Sequence, residues 1–151
     1  MSGNRSLLSF DGFSKSYALI PEGESANAIV FVHGFAGSPT STWFDFQGLC
    51  DEYSSEYPWW KDATLFFYSY DSTHKPIHYN AVRLRSFLDV VLADREPVAF
   101  KWRYKRLALV GHSEGAVVIR RMILNKVESL EKRGGEQGSG CLALILSARS
   151  R

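Results

Sequence analysis

Apolar positions along the 151-residue chain fall into two kinds of run, and their alternation predicts the architecture. Four short stretches, residues 28–33, 63–70, 106–110 and 141–146, are almost uninterruptedly apolar or aromatic. Such stretches fit strands buried on both faces. Between them Leu84, Phe87, Leu88, Val91 and Leu92 follow the i, i+3, i+4, i+7, i+8 spacing of an amphipathic helix. Ala116, Ile119, Ile123, Val127 and Leu130 recur in the same manner and predict a second helix over 114–131. Residues 39–57 are less regular and fit a short helix plus loop, ended by Pro58-Trp59-Trp60. Residues 6–10 and 16–20 are β-prone around Asp11-Gly12, so a hairpin is expected within residues 1–25. Residues 133–140, rich in glycine, read as a flexible loop. Strands alternating with helices predict an α/β fold, with a mostly parallel sheet and helices on both faces. Residues 1–151 are expected to form a single domain.

Composition narrows the function classes. Apolar residues make up 45% and charged residues 23%, ordinary globular usage, so disorder is not expected. The formal net charge is +2, far from the basic excess of a dedicated nucleic-acid binder. That charge is unevenly spread: residues 1–100 hold 7 basic and 12 acidic side chains, and 101–151 hold 11 and 4. A basic C-terminal third could contact an anionic surface, but Lys101, Arg103, Lys105 and Arg106 flank one strand, and Arg120, Arg121 and Lys126 sit on a helix. Those are usual solvated positions, so no nucleic-acid partner is expected. No apolar run reaches the ~18 residues of a membrane span, and no secretory signal is read at the start, so the expected location is cytoplasmic. Cys50 and Cys141 make no disulfide framework, and no metal or other cofactor is expected.

The candidate chemistry lies at the ends of two predicted strands. Gly111-His112-Ser113-Glu114-Gly115 matches G-x-S-x-G directly between the strand 106–110 and the helix 114–131. A serine there is forced into a tight turn that exposes its hydroxyl, and the helix N-terminus faces the reaction centre. The competing reading is a Gly-rich turn with an incidental serine. His33-Gly34-Phe35-Ala36-Gly37 ends the strand 28–33, where a loop can supply a further oxyanion donor through the backbone N–H of Phe35. A generic strand-to-helix turn is the plainer alternative. Trp43, Trp59, Trp60, Phe66 and Phe67 could line an acyl pocket, although aromatic runs more often form core.

With these motifs the chain resembles the α/β-hydrolase superfamily, and within it the lipase-like serine esterases. Their oxyanion loop reads H-G-x-x-G followed by T-W, here His33, Gly34, Gly37, Thr42 and Trp43. Their aromatic stretch after the next strand is represented by Tyr68-Ser69-Tyr70-Asp71-Ser72, and their nucleophile elbow by residues 111–115. Ala116 stands where many relatives carry a second glycine. The resemblance implies Ser113 as nucleophile, Phe35 and Glu114 as backbone oxyanion donors, and a chain order of serine, acid, histidine.

No Asp, Glu or His follows Glu136, so the acid and histidine that relatives carry later have no counterpart, nor do their C-terminal strands. The expectation is therefore a partial hydrolase domain, truncated at its C-terminus. Asp71 with His74 or His78 is a conceivable substitute acid and base, set against the plainer reading of solvated loop residues. His112 is expected to pack rather than act as base. Residues 141–146 would form an apolar edge strand, open to self-association or a complementing chain. The expected function is a serine hydrolase acting on carboxylic ester or acyl substrates through Ser113; the alternative is a non-catalytic remnant serving as a binding module.

Overall fold

The computed structural model describes residues 5–23, 25–46, 48, 52–53, 55–56, 60, 62–92 and 104–132. The expected strand 141–146, the loop 133–140, both cysteines and Trp59 lie outside the described residues.

The chain order is β1 (Arg5–Ser9), β2 (Tyr17–Pro21), β3 (Asn27–Val32), α1 (Pro39–Thr42), β4 (Ala63–Tyr68), α2 (Ile77–Leu92), β5 (Arg106–Gly111) and α3 (Glu114–Lys132). The five strands form one sheet in the order β1-β2-β4-β3-β5. β3 runs parallel to both β4 and β5, in the registers Val30↔Phe66 and Val30↔Leu109. β1 pairs antiparallel with β2, and β2 antiparallel with β4. The sheet is thus mixed rather than mostly parallel. A short turn joins β1 to β2 and forces the antiparallel pairing, whereas the longer connections around β3, β4 and β5 allow parallel crossovers.

Side-chain alternation divides the core. Ala28, Val30 and Val32 of β3 and Phe66 and Tyr68 of β4 face Leu84, Phe87 and Leu88 of α2 and Val118, Ile119 and Met122 of α3. Ile29, Phe31, Leu65 and Phe67 point the other way, against Trp43, Phe46 and Trp60. Helices on both faces were expected, but among the described residues the two long helices share one face. The opposite face is covered by aromatic side chains that follow α1. All six residues of β4 are buried, so its uninterrupted apolar run reflects its central place. The apolar stripe of α3 is buried at Ile119 but half-exposed at Val127 and Leu130.

α1 starts where Ser38 closes a capping box with Ser41 and Pro39 takes the first turn. Parallel alignment of β3, β4 and β5 brings residues 33, 69 and 111 to one edge of the sheet. The hairpin turn reaches the same edge, where the Ser69 backbone N–H donates to Ser16 Oγ at 2.9 Å. In open α/β sheets this C-terminal edge is where ligands bind.

Candidate active site

The turn from β5 into α3 occupies only His112 and Ser113. Ser113 has φ +52°, a left-handed conformation that costs a non-glycine residue about 1–2 kcal/mol. Backbone bonds hold it: His112 N–H donates to Val32 O at 3.0 Å, Gly115 N–H to His112 O at 2.9 Å and Ala116 N–H to Ser113 O at 3.0 Å. The flanking glycines are required by space. A Cβ on Gly115 would lie 2.3 Å from Val32 O and 2.4 Å from His33 O, and one on Gly111 would lie 2.5 Å from Ala116 N. The turn is therefore pressed flat onto the end of β3, and the Ser113 side chain is left exposed.

The loop after β3 lies directly against this turn. A Cβ on Gly34 would meet His112 Nδ1 at 2.9 Å and Ser113 Cβ at 3.0 Å, so only glycine lets the two segments touch. Phe35 follows, 64% exposed. Ala36 adopts φ +52°, and its N–H donates to Ser72 Oγ at 2.9 Å. Gly37 N–H closes the turn on Gly34 O at 3.1 Å, and a Cβ at Gly37 would strike Thr42 Oγ1 at 2.6 Å.

Beneath the loop lies a polar latch. His33 is fully buried. Its Nδ1 is 2.9 Å from Gly34 O, and its Nε2 is 3.3 Å from the Tyr70 backbone nitrogen. A carbonyl can only accept and an amide N–H only donate, so these partners select the neutral tautomer with its proton on Nδ1. Burial pushes the His33 pKa below its ordinary value, against smaller opposing effects from the Gly34 carbonyl and the Glu114 charge. The Tyr70 ring stacks on the imidazole at 4.4 Å between centroids. Its hydroxyl donates to His33 O at 2.9 Å and lies 3.5 Å from Glu114 Oε1. Burial, reinforced by the Glu114 carboxylate, raises the Tyr70 pKa, so the hydroxyl keeps its proton.

The residues expected at the site divide accordingly. His33, Gly34, Gly37, Gly111, His112, Ser113 and Gly115 come together across the β3–β5 edge. Asp71 and His74 pair with each other, Oδ1 to Nδ1 at 3.1 Å. The same oxygen also accepts from the Thr73 and His74 backbone N–H groups and the Thr73 hydroxyl. Those bonds, led by the His74 backbone, hold the Asp71 carboxyl at about 2, well below the usual carboxylate range. His78 lies exposed in the first turn of α2. Among the described residues, none hydrogen-bonds the Ser113 hydroxyl. Phe66 and Phe67 are core, as are most contacts of Trp43, whose ring also meets His112 edge-on at 6.4 Å. Sequence reasoning missed Ser72 and Tyr70 as anchors of the loop, although the aromatic stretch containing them was visible. No cluster of three metal-ligating side chains occurs among the described residues, and no described helix is long and apolar enough to cross a membrane.

Comparison with known proteins bears on the family and the fold. The family model described as "Putative serine esterase (DUF676)" matches residues 23–138. The fold is similar to the crystal structure of an HSL-homolog, EstE7, from a metagenome library, with 20% identity and a TM-score of 0.53. That likeness covers 85% of this chain but 40% of the other, so the chain spans less than half the length of that protein. No curated protein matches the chain.

Proposed function

The chain belongs to the family described as "Putative serine esterase (DUF676)", and from that premise we propose that it is an α/β-hydrolase that hydrolyses carboxylic esters or acyl groups through Ser113. The observation that carries this reading is the exposed Ser113 side chain at φ +52°, with Gly34 packed against its Cβ. A strained, solvent-facing serine at a strand-to-helix turn is what a nucleophile elbow requires.

In the proposed reaction Ser113 Oγ attacks the ester carbonyl carbon as its proton passes to a base. The carbonyl oxygen becomes an oxyanion, held by the backbone N–H groups of Phe35 and Glu114. The alcohol then leaves with a proton, and water hydrolyses the acyl-serine. The start of α3 adds its positive end to the oxyanion site. Each such donor is worth about 10²–10³ in kcat in enzymes of this type. His33 has both ring nitrogens engaged and His74 is turned onto Asp71, so neither is bonded to the Ser113 hydroxyl. The unpartnered Ser113 hydroxyl also supports a second reading, a non-catalytic domain that binds through the same edge.

A fluorophosphonate serine probe separates the two. Fast labelling of the folded chain, lost in Ser113→Ala and in a heat-unfolded control, is the expected result. A folded chain that stays unlabelled selects the binding module.

A further inference from the structure

Three non-glycine residues among those described adopt positive φ, and all three sit at one edge: Ser113, Ala36 and Lys15, the last at φ +65°. Esterase chemistry accounts for the first two. Lys15 lies in the hairpin turn, across a cleft of about 690 Å³ whose far wall is the loop from Ala36 to Ser38. The positive φ of Lys15 belongs to the turn that the Ser16 N–H closes on Phe13 O at 3.0 Å.

The cleft is unusually basic for its part of the chain. Residues 1–100 carry 7 basic and 12 acidic side chains, yet the cleft walls hold three of those cations, Lys15, Lys75 and Arg83, and one acid, Asp71. One oxygen of the Asp71 carboxylate, Oδ1, is bonded to its own turn through Thr73 and His74, and the group keeps its negative charge. Among the described residues neither lysine has a carboxylate partner; the ion pairs there are His74–Asp71 and Arg85–Asp89. Arg83 stands over the Phe13 ring at 4.8 Å and donates to Gly12 O at 2.8 Å, which ties the turn carrying Lys15 to α2. Lys75 lies 5.5 Å from the Tyr79 ring centroid. Cations from three separate segments thus surround one opening, together with the hydroxyl-bearing Ser14. Several donors spread around one space suit an anion with several acceptor oxygens.

We propose that this cleft binds a phosphate group of the substrate, so that the enzyme acts on esters whose alcohol or acyl part is phosphorylated. The assignment rests on the esterase reading for its catalytic meaning, but the binding site stands on the cleft alone. Ala36, which lines the cleft, directly follows Phe35, whose backbone N–H is the proposed oxyanion donor.

Titration calorimetry of the full chain carrying Ser113→Ala, with glycerol 3-phosphate as probe and glycerol as control, tests binding without turnover. Saturable binding of the phosphate alone is expected, weakening as salt rises. Lys75→Gln and Lys15→Gly should each weaken it at least about threefold, since exposed charge contacts contribute modestly. Lys15→Gly also relieves the positive φ, so its melting temperature should hold or rise while affinity falls, which excludes unfolding as the cause. Absent binding, or binding unchanged in both variants, overturns the proposal. Sedimentation with phosphatidic acid vesicles against phosphatidylcholine vesicles identifies the source: retention on the former assigns a lipid headgroup, and glycerol 3-phosphate binding without retention a soluble phosphoester. Phosphate binding without fluorophosphonate labelling of the unsubstituted chain would remove the esterase reading and leave the cleft. Labelling without phosphate binding would do the reverse.

Discussion

The turn at residues 111–115 and the loop at residues 33–38 touch through Gly34, yet they are held in place by different means. The turn needs no side-chain hydrogen bond. Its shape follows from backbone bonds to Val32, His112 and Ser113, and from two positions where a Cβ would collide with backbone. The loop instead depends on side chains about 36 residues away, with Ser72 Oγ holding Ala36 and Tyr70 holding His33 from both ends. The turn is therefore positioned by backbone packing on the end of β3, whereas the loop is positioned by side-chain hydrogen bonds. Damage to the first should cost the fold, and loss of the Ser72 bond in the second should cost mainly activity.

Gly115→Ala is the severest test of the turn. Its Cβ would sit 2.3 Å from the Val32 carbonyl oxygen, and backbone cannot yield as a side-chain tip can. Destabilisation of about 3 kcal/mol or more is expected in urea unfolding. A near-neutral result would mean that the turn is not held by packing against β3.

His33→Ala should cost about 2–3 kcal/mol, because it leaves the Tyr70 N–H unpaired and opens a hole at a fully buried site. His33 also gives the fold a pH dependence. Its folded pKa is depressed below the ordinary 6.5, so the unfolded chain binds the proton first. This contribution is fully present above about pH 6.5 and declines as pH falls, by no more than about 1.4 kcal/mol per unit. Melting temperatures from pH 8 to 5 should show the decline, and His33→Gln should flatten it.

Ser72→Ala sharpens the comparison from the loop side. It removes the acceptor for the Ala36 N–H at a cost of about 1 kcal/mol, while fluorophosphonate labelling should slow by about tenfold. Equal losses in stability and labelling would blur the distinction between the two regions. The smallest effect has the opposite sign. Ser113→Gly relieves the left-handed φ and should stabilise the fold by about 1 kcal/mol while abolishing labelling.

The same division explains what was legible in the amino-acid sequence. Gly111, Ser113 and Gly115 could be read from spacing, because the steric demands of the turn come from residues within five positions and from the strand immediately before the loop. The run 63–68 could be read as a buried strand because all its positions are apolar or β-branched, and the structure buries them all. Helix α2 was visible in the spacing of Leu84, Phe87, Leu88 and Val91, each of which is buried, although Leu92 of the same pattern, in the helix's last position, is exposed. The sense of the sheet was less visible, since an apolar run carries no direction and β2 had to be placed beside β4 before its antiparallel course was apparent.

Among the described residues, sequence by itself therefore determined which segments are strands and helices, where the sharp turn falls, and which serine stands on it. Side-chain periodicity is local, and the G-x-S-x-G spacing marks the turn even though Val32 and His33, far along the chain, limit the space at Gly115. Only the tertiary structure decided that the two long helices share a face, that Tyr70 and Ser72 hold the loop beside Ser113, that Asp71 and His74 turn toward each other, and that Lys15, Lys75 and Arg83 surround one cleft. Those arrangements depend on strand order and register, which bring distant residues to one edge and leave no periodic trace along the chain.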